Sequence, residues 1–383
     1  MIDREIIINN PELVRRSLRR RNSSQAMFDI VSSLEEIIRK RRHLQNETDN
    51  FLSERNNLTS KIKKYMSEKA TQSEVEHLRL RVLEIKEIIS EKEKELICLQ
   101  NEEELLLKSL PNIVSDDTPD GYSSENNPII RQWGNCPSFD FSPRSHDEVM
   151  QNLDGFDPER ASKLSGARFA VMKGHIARLE RALIQFFLDV NVDRHNYTEF
   201  VVPYMVTRET LEGTGQLPKF EEDLFKLSST ISNQDAFLIP TAEVPITNLH
   251  RKEVLKGEDM PLKYCAFSPC FRSEAGSAGR DTKGIIRLHQ FHKVELVWFS
   301  LPEKSNEALE IITGEVEFFL KELGLAYQVV ARCAGDVGNG GSKGYDVEVW
   351  FPYQKNYREI SSCTNFNDYQ TRRLSTKFAD EII

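Results

Sequence analysis

The sequence predicts an α+β protein in which a long helical hairpin precedes a body of mixed strands and helices. Two patterns support this fold class. Between Phe28 and Leu106, apolar residues recur every seventh position, as they do in coiled coils. Beyond Trp133, short β-branched and aromatic runs alternate with amphipathic stretches such as 177–191. The sequence lacks a Gly-x-Gly-x-x-Gly turn and a Gly-x-x-x-x-Gly-Lys-Ser/Thr loop, which argues against a parallel nucleotide-binding fold.

The arm is predicted from four rows of residues spaced seven apart. One helix runs from Phe28 to Tyr65, and a second begins near Ser73. The rows are Ile37, Leu44, Phe51, Leu58 and Tyr65; Leu34, Arg41, Thr48, Arg55 and Ile62; Val75, Val82, Ile89 and Leu96; and Leu78, Ile85, Lys92, Leu99 and Leu106. With a short polar turn around residues 67–72, the two helices should form an antiparallel, left-handed coiled coil.

The length of these helices indicates that the arm projects, because about 38 residues at 1.5 Å per residue span about 57 Å. Arg41, Thr48 and Arg55 place polar groups in the seam, and we interpret them as tolerated. A dimerisation coil and a simple spacer are alternatives that the pattern leaves open.

The bulk composition limits the class of protein. The chain has 383 residues, 39% hydrophobic and 29% charged, which fits a solvated helical appendage on a compact body. Because the net charge is −9, nucleic-acid contacts would need local basic patches. The six cysteines contain no Cys-x-x-Cys pair, so no zinc site is expected. Without a secretory signal or a run of about 18 apolar residues, we expect a cytoplasmic protein that does not enter a membrane.

Two basic clusters are candidates for such patches. They consist of Arg15, Arg16, Arg19, Arg20 and Arg21 before the arm, and of Lys61, Lys63, Lys64 and Lys69 near its tip. Such side chains bind phosphate groups with release of counterions. A merely solvated helix face is the alternative.

The segment 271–295 is the most informative part of the sequence. Two apolar-rich runs flank a loop with glycines and many charges, which is the outline of a long hairpin. The hairpin would bring Arg272, Arg287, Phe291 and two acids toward one pocket. Guanidinium groups bind phosphate, a flat ring stacks on a base, and an acid accepts hydrogen bonds from amino groups. A charged surface hairpin is the alternative for the loop alone.

This segment resembles motif 2 of the class II aminoacyl-tRNA synthetases, and its residues are similar to those of bacterial-type seryl-tRNA synthetases. The other stretches that carry the likeness are 10–14, 111–113, 213–220 (GTGQLPKF), 239–247 (IPTAEVPIT), 345–350 and 359–366. A helix at 177–191 and a strand at 197–206, interrupted by Pro203, resemble motif 1. The resemblance implies an antiparallel sheet of roughly six or seven strands flanked by helices.

The resemblance implies roles in ATP binding for the hairpin residues. Arg272 would hold the α-phosphate and the substrate carboxylate, with Ser273 beside it. Glu274 would accept from the adenine amino group or place the tRNA end. Arg287 would meet the outer phosphates, and Phe291 would stack on adenine.

A second group near the end of the sequence is implied to line the ATP site. It consists of Glu359, Ile360, Ser361 and Ser362. Glu359 and Ser362 would ligate Mg²⁺, which takes hard oxygen ligands from few protein groups and from phosphate.

The serine pocket implied by the resemblance consists of Thr241, Ala242, Glu243, Arg272 and Glu295. Selecting serine over alanine requires buried polar groups, because the wrong substrate leaves these groups unpaired. An ordinary helix start is the alternative for 241–243, since threonine can cap a helix and glutamate favours its first turn.

The implied reaction is attack of the serine carboxylate on the α-phosphorus of ATP, which gives seryl-adenylate and pyrophosphate. Transfer to tRNA(Ser), and also to tRNA(Sec), would follow. Residues 1–112 would form a tRNA-binding domain with the arm, and 113–383 the class II catalytic core, with a Pro/Gly/Asn-rich linker at 111–128. The motif 1 region would form a homodimer.

The resemblance continues to about Arg373. The third signature of the family, a strand and helix containing glycines and an arginine, is not found in the residues that follow (LSTKFADEII). We therefore expect this sequence to activate serine weakly or not at all, since losing one transition-state clamp commonly costs about 10² in rate. A non-catalytic tRNA-binding relative and a coiled-coil interaction protein are the alternative hypotheses.

Overall fold

The structure is a computed structural model that describes residues 1–67, 72–275 and 283–379. The chain divides into two compact units. The helical unit contains Ile2–Arg19 and Ser23–Leu110, and the mixed unit contains Met1, Arg20–Asn22 and Pro111–Ile383.

The helical unit is built from four helices. They are α1 (Arg4–Asn9), α2 (Pro11–Arg20), α3 (Gln25–Ser67) and α4 (Gln72–Ser109). Three ion pairs connect α3 to α4: Arg41 with Glu103, Glu47 with Lys92, and Glu54 with Arg81. The residue number of the partner on α4 falls as the residue number on α3 rises. The two long helices are therefore antiparallel, as predicted. Most of the predicted turn between them, including Lys69, lies outside the described residues.

The predicted seven-residue rows form the seam between α3 and α4. Ile37 and Leu44 of α3 are buried in one cluster with Leu96 and Leu99 of α4. Burying such an aliphatic side chain stabilises the fold by roughly 1.5–3 kcal/mol. Packing along the seam therefore stabilises the long helices, as tertiary contacts usually do in proteins.

Arg41, a polar position of the seam, has a defined partner, which corrects the interpretation that it is only tolerated. Arg41 forms an ion pair with Glu103 at 2.6 Å, and Arg4 of α1 approaches the other oxygen of that carboxylate at 2.9 Å. The Glu103 side chain is only 2% exposed. Because an unpaired buried carboxylate is costly, this pairing favours one register of α1, α3 and α4.

The mixed unit alternates short helices with strands. Its helices are α5 (His146–Asn152), α6 (Pro158–Ser165), α7 (Gly174–Asp193), α8 (Arg208–Thr214), α9 (Glu243–Thr247), α10 (Ser305–Glu322) and α11 (Tyr369–Leu374). Its strands are β1 (Ile129–Trp133), β2 (Thr198–Glu199), β3 (Met205–Thr207), β4 (Lys226–Ile231), β5 (Gln234–Leu238), β6 (Val254–Lys256), β7 (Leu262–Phe271), β8 (Gln290–Phe299), β9 (Tyr327–Ala331), β10 (Lys343–Phe351), β11 (Asn356–Asn365) and β12 (Lys377–Ala379). Of the helices described in either unit, none combines the length and apolar character needed to cross a membrane.

Within the described residues the strands form four sheets, with the orders β1-β9-β10-β11, β2-β7-β8, β3-β5-β4 and β12-β6. Pairing is antiparallel except between β2 and β7 and between β12 and β6. The α+β fold class is confirmed. The single sheet of six or seven strands that the resemblance implied is divided among these sheets within the described residues.

The predicted strand at 197–206 is divided in the structure, while the predicted helix before it is confirmed as α7. β2 and β3 belong to different sheets, and Pro203 lies between them. Proline has no amide proton to donate to a strand ladder, so a break at this position is expected.

The core of the four-stranded sheet lies against α10. Leu309 and Leu320 of the helix pack on Tyr327, Val329 and Val347 of the sheet. This packing supports β10 and β11, and β11 carries the second group of predicted ATP-site residues.

The predicted linker at 111–128 is in part an integral segment of the mixed unit. The Asn112 side chain donates to the carbonyl oxygens of Gly340 at 2.8 Å and Phe366 at 2.9 Å. Val114 is buried with Ala334 and Val337. The composition was misleading because the asparagine side chains of this segment, Asn112 and Asn127, pair with backbone groups inside the unit.

Two arginines of the predicted basic cluster are also used inside the mixed unit. Arg20 pairs with Asp120 at 2.6 Å. Arg21 donates to the carbonyl oxygens of Asn112 at 2.9 Å and Gly338 at 2.8 Å, and burial lowers the pKa of Arg21 to about 10. These two side chains are therefore structural in this conformation.

Candidate active site

The predicted hairpin is formed by β7 and β8, which pair antiparallel in continuous register from Leu262–Phe299 to Phe271–Gln290. Arg272 follows β7 directly, and Phe291 is the second residue of β8. The Cζ atom of Arg272 lies 5.0 Å from the centroid of the Phe291 ring. A guanidinium group at this distance is attracted by the ring face. The structure thus brings two of the predicted ATP-site residues into contact.

The backbone and side chain of Arg272 are held by neighbouring segments. Its amide donates to the carbonyl oxygen of His289 at 2.9 Å, and the His289 Nδ1 lies 3.0 Å from the Arg272 carbonyl oxygen. Its Nε donates to the carbonyl oxygen of Pro240 at 3.4 Å. His289 therefore has a structural role, and Arg272 lies beside the segment that begins the predicted serine pocket.

The other charged pair of the hairpin joins the two ends of its loop. Arg287 Nη1 donates to Glu274 Oε2 at 2.5 Å, and Glu274 adopts a left-handed backbone with φ 53°. Most of the loop between them, residues 276–282, lies outside the described residues. Ser273 donates its hydroxyl to the Glu222 carbonyl oxygen and its amide to the Asp223 carbonyl oxygen at 2.9 Å, so both of its donors are engaged in this conformation.

The predicted serine pocket contains a chain of hydrogen bonds and charges. Thr241 Oγ1 donates to Glu295 Oε2, and Lys293 Nζ lies 2.6 Å from the same carboxylate. Thr241 Oγ1 also accepts from the Glu243 amide at 3.2 Å, as a threonine at a helix start would. Ala242 is fully buried beside them. The pocket geometry and the helix-start alternative are therefore both present at Thr241.

Glu243 is the second acid of this pocket, and its pKa is raised. Burial raises its pKa, and the nearby Glu295 raises it further. Gln370, Lys293 and Arg272 act in the opposite direction. The side-chain amide of Gln370 donates to Glu243 Oε1 at 2.7 Å. Because Arg272, Lys293 and Glu295 all influence Glu243, the predicted phosphate and serine residues share one electrostatic environment.

The second predicted ATP group lies on β11 at an irregular point of the ladder. Val347 pairs with Ser361 and Glu348 with Glu359, so Ile360 is the extra residue of a bulge and is 49% exposed. Bulges redirect the side chains around them and are frequent beside active sites. Glu359 and Ser362 are both exposed.

A buried acid lies opposite these residues. Asp346 pairs with Ser362 across the ladder, and Arg332 donates to Ser362 Oγ at 2.9 Å while lying 3.6 Å from Asp346. Burial raises the pKa of Asp346 to about 7, and Glu359 adds to the effect. No group of three or more His, Cys, Asp or Glu side chains is placed to hold a metal ion in the described part of the chain.

Sequence reasoning missed three polar partners of the predicted residues. Gln370 contacts Glu243, Lys293 contacts Glu295, and Arg332 contacts Ser362. Lys293 could have been found from its position two residues before Glu295 on one strand face. Gln370 and Arg332 are far in sequence from their partners, so no local pattern could have indicated them.

The folded hairpin with its arginine over an aromatic ring, beside strands of an α+β core, defines a class II aminoacyl-tRNA synthetase. Residues 225–382 match the family model described as the tRNA synthetase class II core domain (G, H, P, S and T). Residues 1–114 match the model described as the seryl-tRNA synthetase N-terminal domain. The chain belongs to the seryl-tRNA synthetase family, and its class of enzyme is therefore the aminoacyl-tRNA ligases.

Individual relatives agree with these matches. The serine–tRNA ligase of Desulfotalea psychrophila is 44% identical over 382 residues, which cover 100% of this chain and 88% of the relative. That of Shouchella clausii is 56% identical over 295 residues, 77% of this chain and 69% of the relative. The crystal structure of seryl-tRNA synthetase from Pyrococcus horikoshii complexed with ATP has a TM-score of 0.91 at 36% identity, covering 100% of this chain and 88% of that one. The resemblance noted from the motifs is confirmed.

Proposed function

We propose that this chain is a serine–tRNA ligase, which activates L-serine with ATP and transfers the seryl group to tRNA(Ser) and tRNA(Sec). The weak serine activation expected from the sequence stays a prediction. The observation that carries the proposal is the position of Arg272. Its guanidinium lies over the Phe291 ring and is bound through Nε to Pro240, the residue before Thr241. Arg272 is thereby adjacent both to the Phe291 ring, which can stack on a base, and to the polar pocket that begins at Thr241.

Arg272 would act on the α-phosphate and the serine carboxylate. As that carboxylate oxygen bonds to the α-phosphorus, the bond to the β-phosphate oxygen breaks and pyrophosphate leaves. A planar guanidinium can donate two parallel hydrogen bonds to the phosphate oxygens, which a lysine cannot. Catalysis by this route consists of positioning and charge stabilisation, without a covalent nucleophile. Phe291 would stack on adenine once the guanidinium moves from the ring to the phosphate.

Arg287 and Glu274 would serve the ends of the ATP molecule. Arg287 would bind the outer phosphates, and Glu274 would accept from the adenine amino group or help place the tRNA end. In the structure each charge neutralises the other. Binding of ATP would exchange this ion pair for contacts to the nucleotide.

Glu359 and Ser362 fit a magnesium ion by the chemistry of their atoms. Both offer hard oxygen atoms from exposed side chains, and magnesium takes few protein ligands when phosphates supply the rest. Burial is the main cause of the raised pKa of the neighbouring Asp346, and Glu359 contributes to it, so a cation at Glu359 would counter that contribution. When bound, the ion would neutralise phosphate charge. Ile360 and Ser361 would line the nucleotide between these two residues.

Thr241, Ala242, Glu243, Arg272 and Glu295 would bind serine. The carboxylates of Glu243 and Glu295 suit the substrate ammonium group and hydroxyl, and Arg272 suits its carboxylate. A site that hydrogen-bonds a substrate hydroxyl disfavours the analogue without it, because the partner groups stay desolvated and unpaired.

The arm would bind tRNA through the lysines near the end of α3. Lys61, Lys63 and Lys64 are exposed there. Contacts of this kind make binding weaken steeply as salt concentration rises. We assign residues 1–112 to tRNA binding and 113–383 to catalysis. The cytoplasmic location expected from the sequence stays a prediction.

A homodimer through the motif 1 region completes the proposal. The exposed apolar residues Leu179 of α7, Val201 and Met205 suit a partner subunit, since Val201 is 89% exposed. Solution scattering or sedimentation of the full chain would test this assignment.

The comparisons do not favour the non-catalytic alternative, because relatives named serine–tRNA ligase align over nearly the whole chain. The hypothesis of a coiled-coil interaction protein leaves the arrangement around Arg272 unexplained.

Calorimetric binding of a non-hydrolysable seryl-adenylate analogue tests the proposed site. We expect tight binding by the unmodified chain and a loss of about 100-fold in Arg272→Lys, because lysine lacks the fork. Arg251→Lys is the matched control, since Arg251 pairs with Glu209 at 3.3 Å and belongs to no predicted site. Equal affinity of the Arg272→Lys chain, or binding no tighter than that of AMP, would refute the assignment.

A further inference from the structure

Gln370 is a buried polar residue outside all the motifs that defined the site. It lies on α11 and is only 6% exposed. Its side-chain Nε2 donates to Glu243 Oε1 at 2.7 Å and to the Thr214 carbonyl oxygen at 3.2 Å. Both hydrogens of the amide are therefore used, one on a pocket acid and one on the end of α8.

The hydrogen bond from Gln370 to the Thr214 carbonyl oxygen fixes the direction of its hydrogen bond to Glu243. Thr214 is the last residue of α8, and Glu243 is the first residue of α9. Asn248 joins the same two helices by donating to the carbonyl oxygens of Thr210 and Val244, each at 2.9 Å. The Gln370 amide is thus held against a rigid frame, and it can orient the Glu243 carboxylate rather than follow it.

The charge of Glu243 depends on its neighbours. Glu295 of β8 disfavours its charged form, whereas Lys293 of β8, Arg272 after β7 and Gln370 of α11 favour it. Among these groups Gln370 is the neutral one, so it supports the carboxylate without adding a charge that would compete for the substrate. A hydrogen bond to a charged acceptor is stronger than one between neutral groups.

We propose that Gln370 is a positioning residue for the substrate ammonium group: it fixes one oxygen of Glu243 so that the other faces the α-amino group of the bound amino acid. This inference rests on the proposed function. It adds a residue from α11 that acts through Glu243 and does not touch the substrate.

Two ligands and three variants test this role by calorimetry. The ligands are the seryl-adenylate analogue and its counterpart without the α-amino group. Gln370→Met removes both hydrogen bonds with little change in volume, and Gln370→Leu removes them with a shorter apolar side chain. Gln328→Leu is the control, because Gln328 is likewise buried and donates to a glutamate, Glu348, at 2.6 Å.

We expect Gln370→Met to weaken binding of the amino analogue about tenfold, with binding of the desamino analogue changed less than twofold. When the pH is lowered, the Gln370→Met chain should lose affinity for the amino analogue at a higher pH than the unmodified chain does. The reason is that the pKa of Glu243 rises when the Gln370 donor is removed. Gln370→Leu should behave alike if Gln370→Met does not fold. Gln328→Leu should leave both affinities unchanged.

Three results separate the possible failures. Equal losses for both analogues would mean that Gln370 only anchors α11, and would overturn the inference. Unchanged affinity for both would overturn it as well. If the unmodified chain binds neither analogue, the proposed function itself fails, whatever the variants do.

Discussion

Arg287 and Glu274 form an ion pair of 2.5 Å that joins the two ends of the hairpin loop. The motif 2 resemblance implies instead that Arg287 binds the outer phosphates of ATP, and that Glu274 binds the adenine amino group or the tRNA end. The side chains are 33% and 14% exposed. The site in this conformation therefore neutralises the charges that nucleotide binding would use.

Replacing Arg287 should weaken nucleotide binding while leaving the amino-acid pocket intact. We expect Arg287→Ala to raise the dissociation constant of ATP with magnesium about 10- to 100-fold, since a charge-assisted contact is worth roughly 1.5–3 kcal/mol. Calorimetric titration with ATP measures this change. Arg251→Ala serves as the control, and equal ATP affinity in the two variants would contradict the role of Arg287.

His146 of α5 holds the segment that leads to Arg287. Its Nε2 accepts from the Ile285 amide at 2.9 Å, and Gly284, at φ +76°, leaves room for the ring. We expect His146→Ala to accelerate hydrogen exchange at the Ile285 amide and to weaken ATP binding severalfold. His146→Gln offers an acceptor oxygen and should restore part of both. Unchanged exchange at Ile285 in His146→Ala would show that this contact does not order the segment.

Asp346 should make the unfolding free energy depend on pH near neutrality. Its folded-state pKa is raised from 3.8 to about 7, chiefly by burial. A raised pKa gives stability that is present below the unfolded value and is lost as pH rises through about 7. Between pH 5 and pH 8 the unmodified chain should lose roughly 2–3 kcal/mol that Asp346→Asn retains.

Denaturant unfolding at the two pH values measures this difference. Asp235→Asn is a control of opposite sign, because hydrogen bonds from Lys226 and Arg208 lower the pKa of Asp235. Its ionisation lies below the pH window, so that variant should keep the pH dependence of the unmodified chain. Identical pH dependence in Asp346→Asn would contradict the assignment to Asp346.

The ion pair in the arm gives a prediction for the helical unit. Arg41→Leu leaves the buried Glu103 carboxylate with Arg4 alone and should cost about 3 kcal/mol of unfolding free energy. Arg41→Leu/Glu103→Leu should recover most of that loss. The exposed pair of Arg42 and Glu5 is the control, with an expected cost below about 1 kcal/mol. Urea unfolding followed by circular dichroism decides between these values, and equal costs at Arg41 and Arg42 would count against the seam pairing.

The features predictable from the sequence were those with a short repeat or a contiguous motif. The seven-residue rows predicted α3 and α4 because the seam of a coiled coil repeats regularly along the sequence. The apolar runs on either side of Arg272 and Arg287 predicted β7 and β8. Prediction failed where distant segments meet. Asn112 and Arg21 are polar residues that satisfy buried carbonyl oxygens, a use that composition hides.

The same limit applies within the site. Thr241 and Glu243 stand in one motif, so their proximity was predictable, but Glu295 and Gln370 reach them only through tertiary packing. The bulge at Ile360 likewise depends on the register of β10 against β11, which the sequence of β11 alone does not determine.

The central claim is that the acids beside Arg272 recognise a small amino acid by its hydroxyl and ammonium groups. Its most direct measurement compares the dissociation constants of seryl- and alanyl-adenylate analogues on the unmodified chain. We predict a preference of about 10³ or more for the seryl compound, because the alanyl compound leaves buried partners unpaired. Affinities within tenfold of each other would contradict the claim.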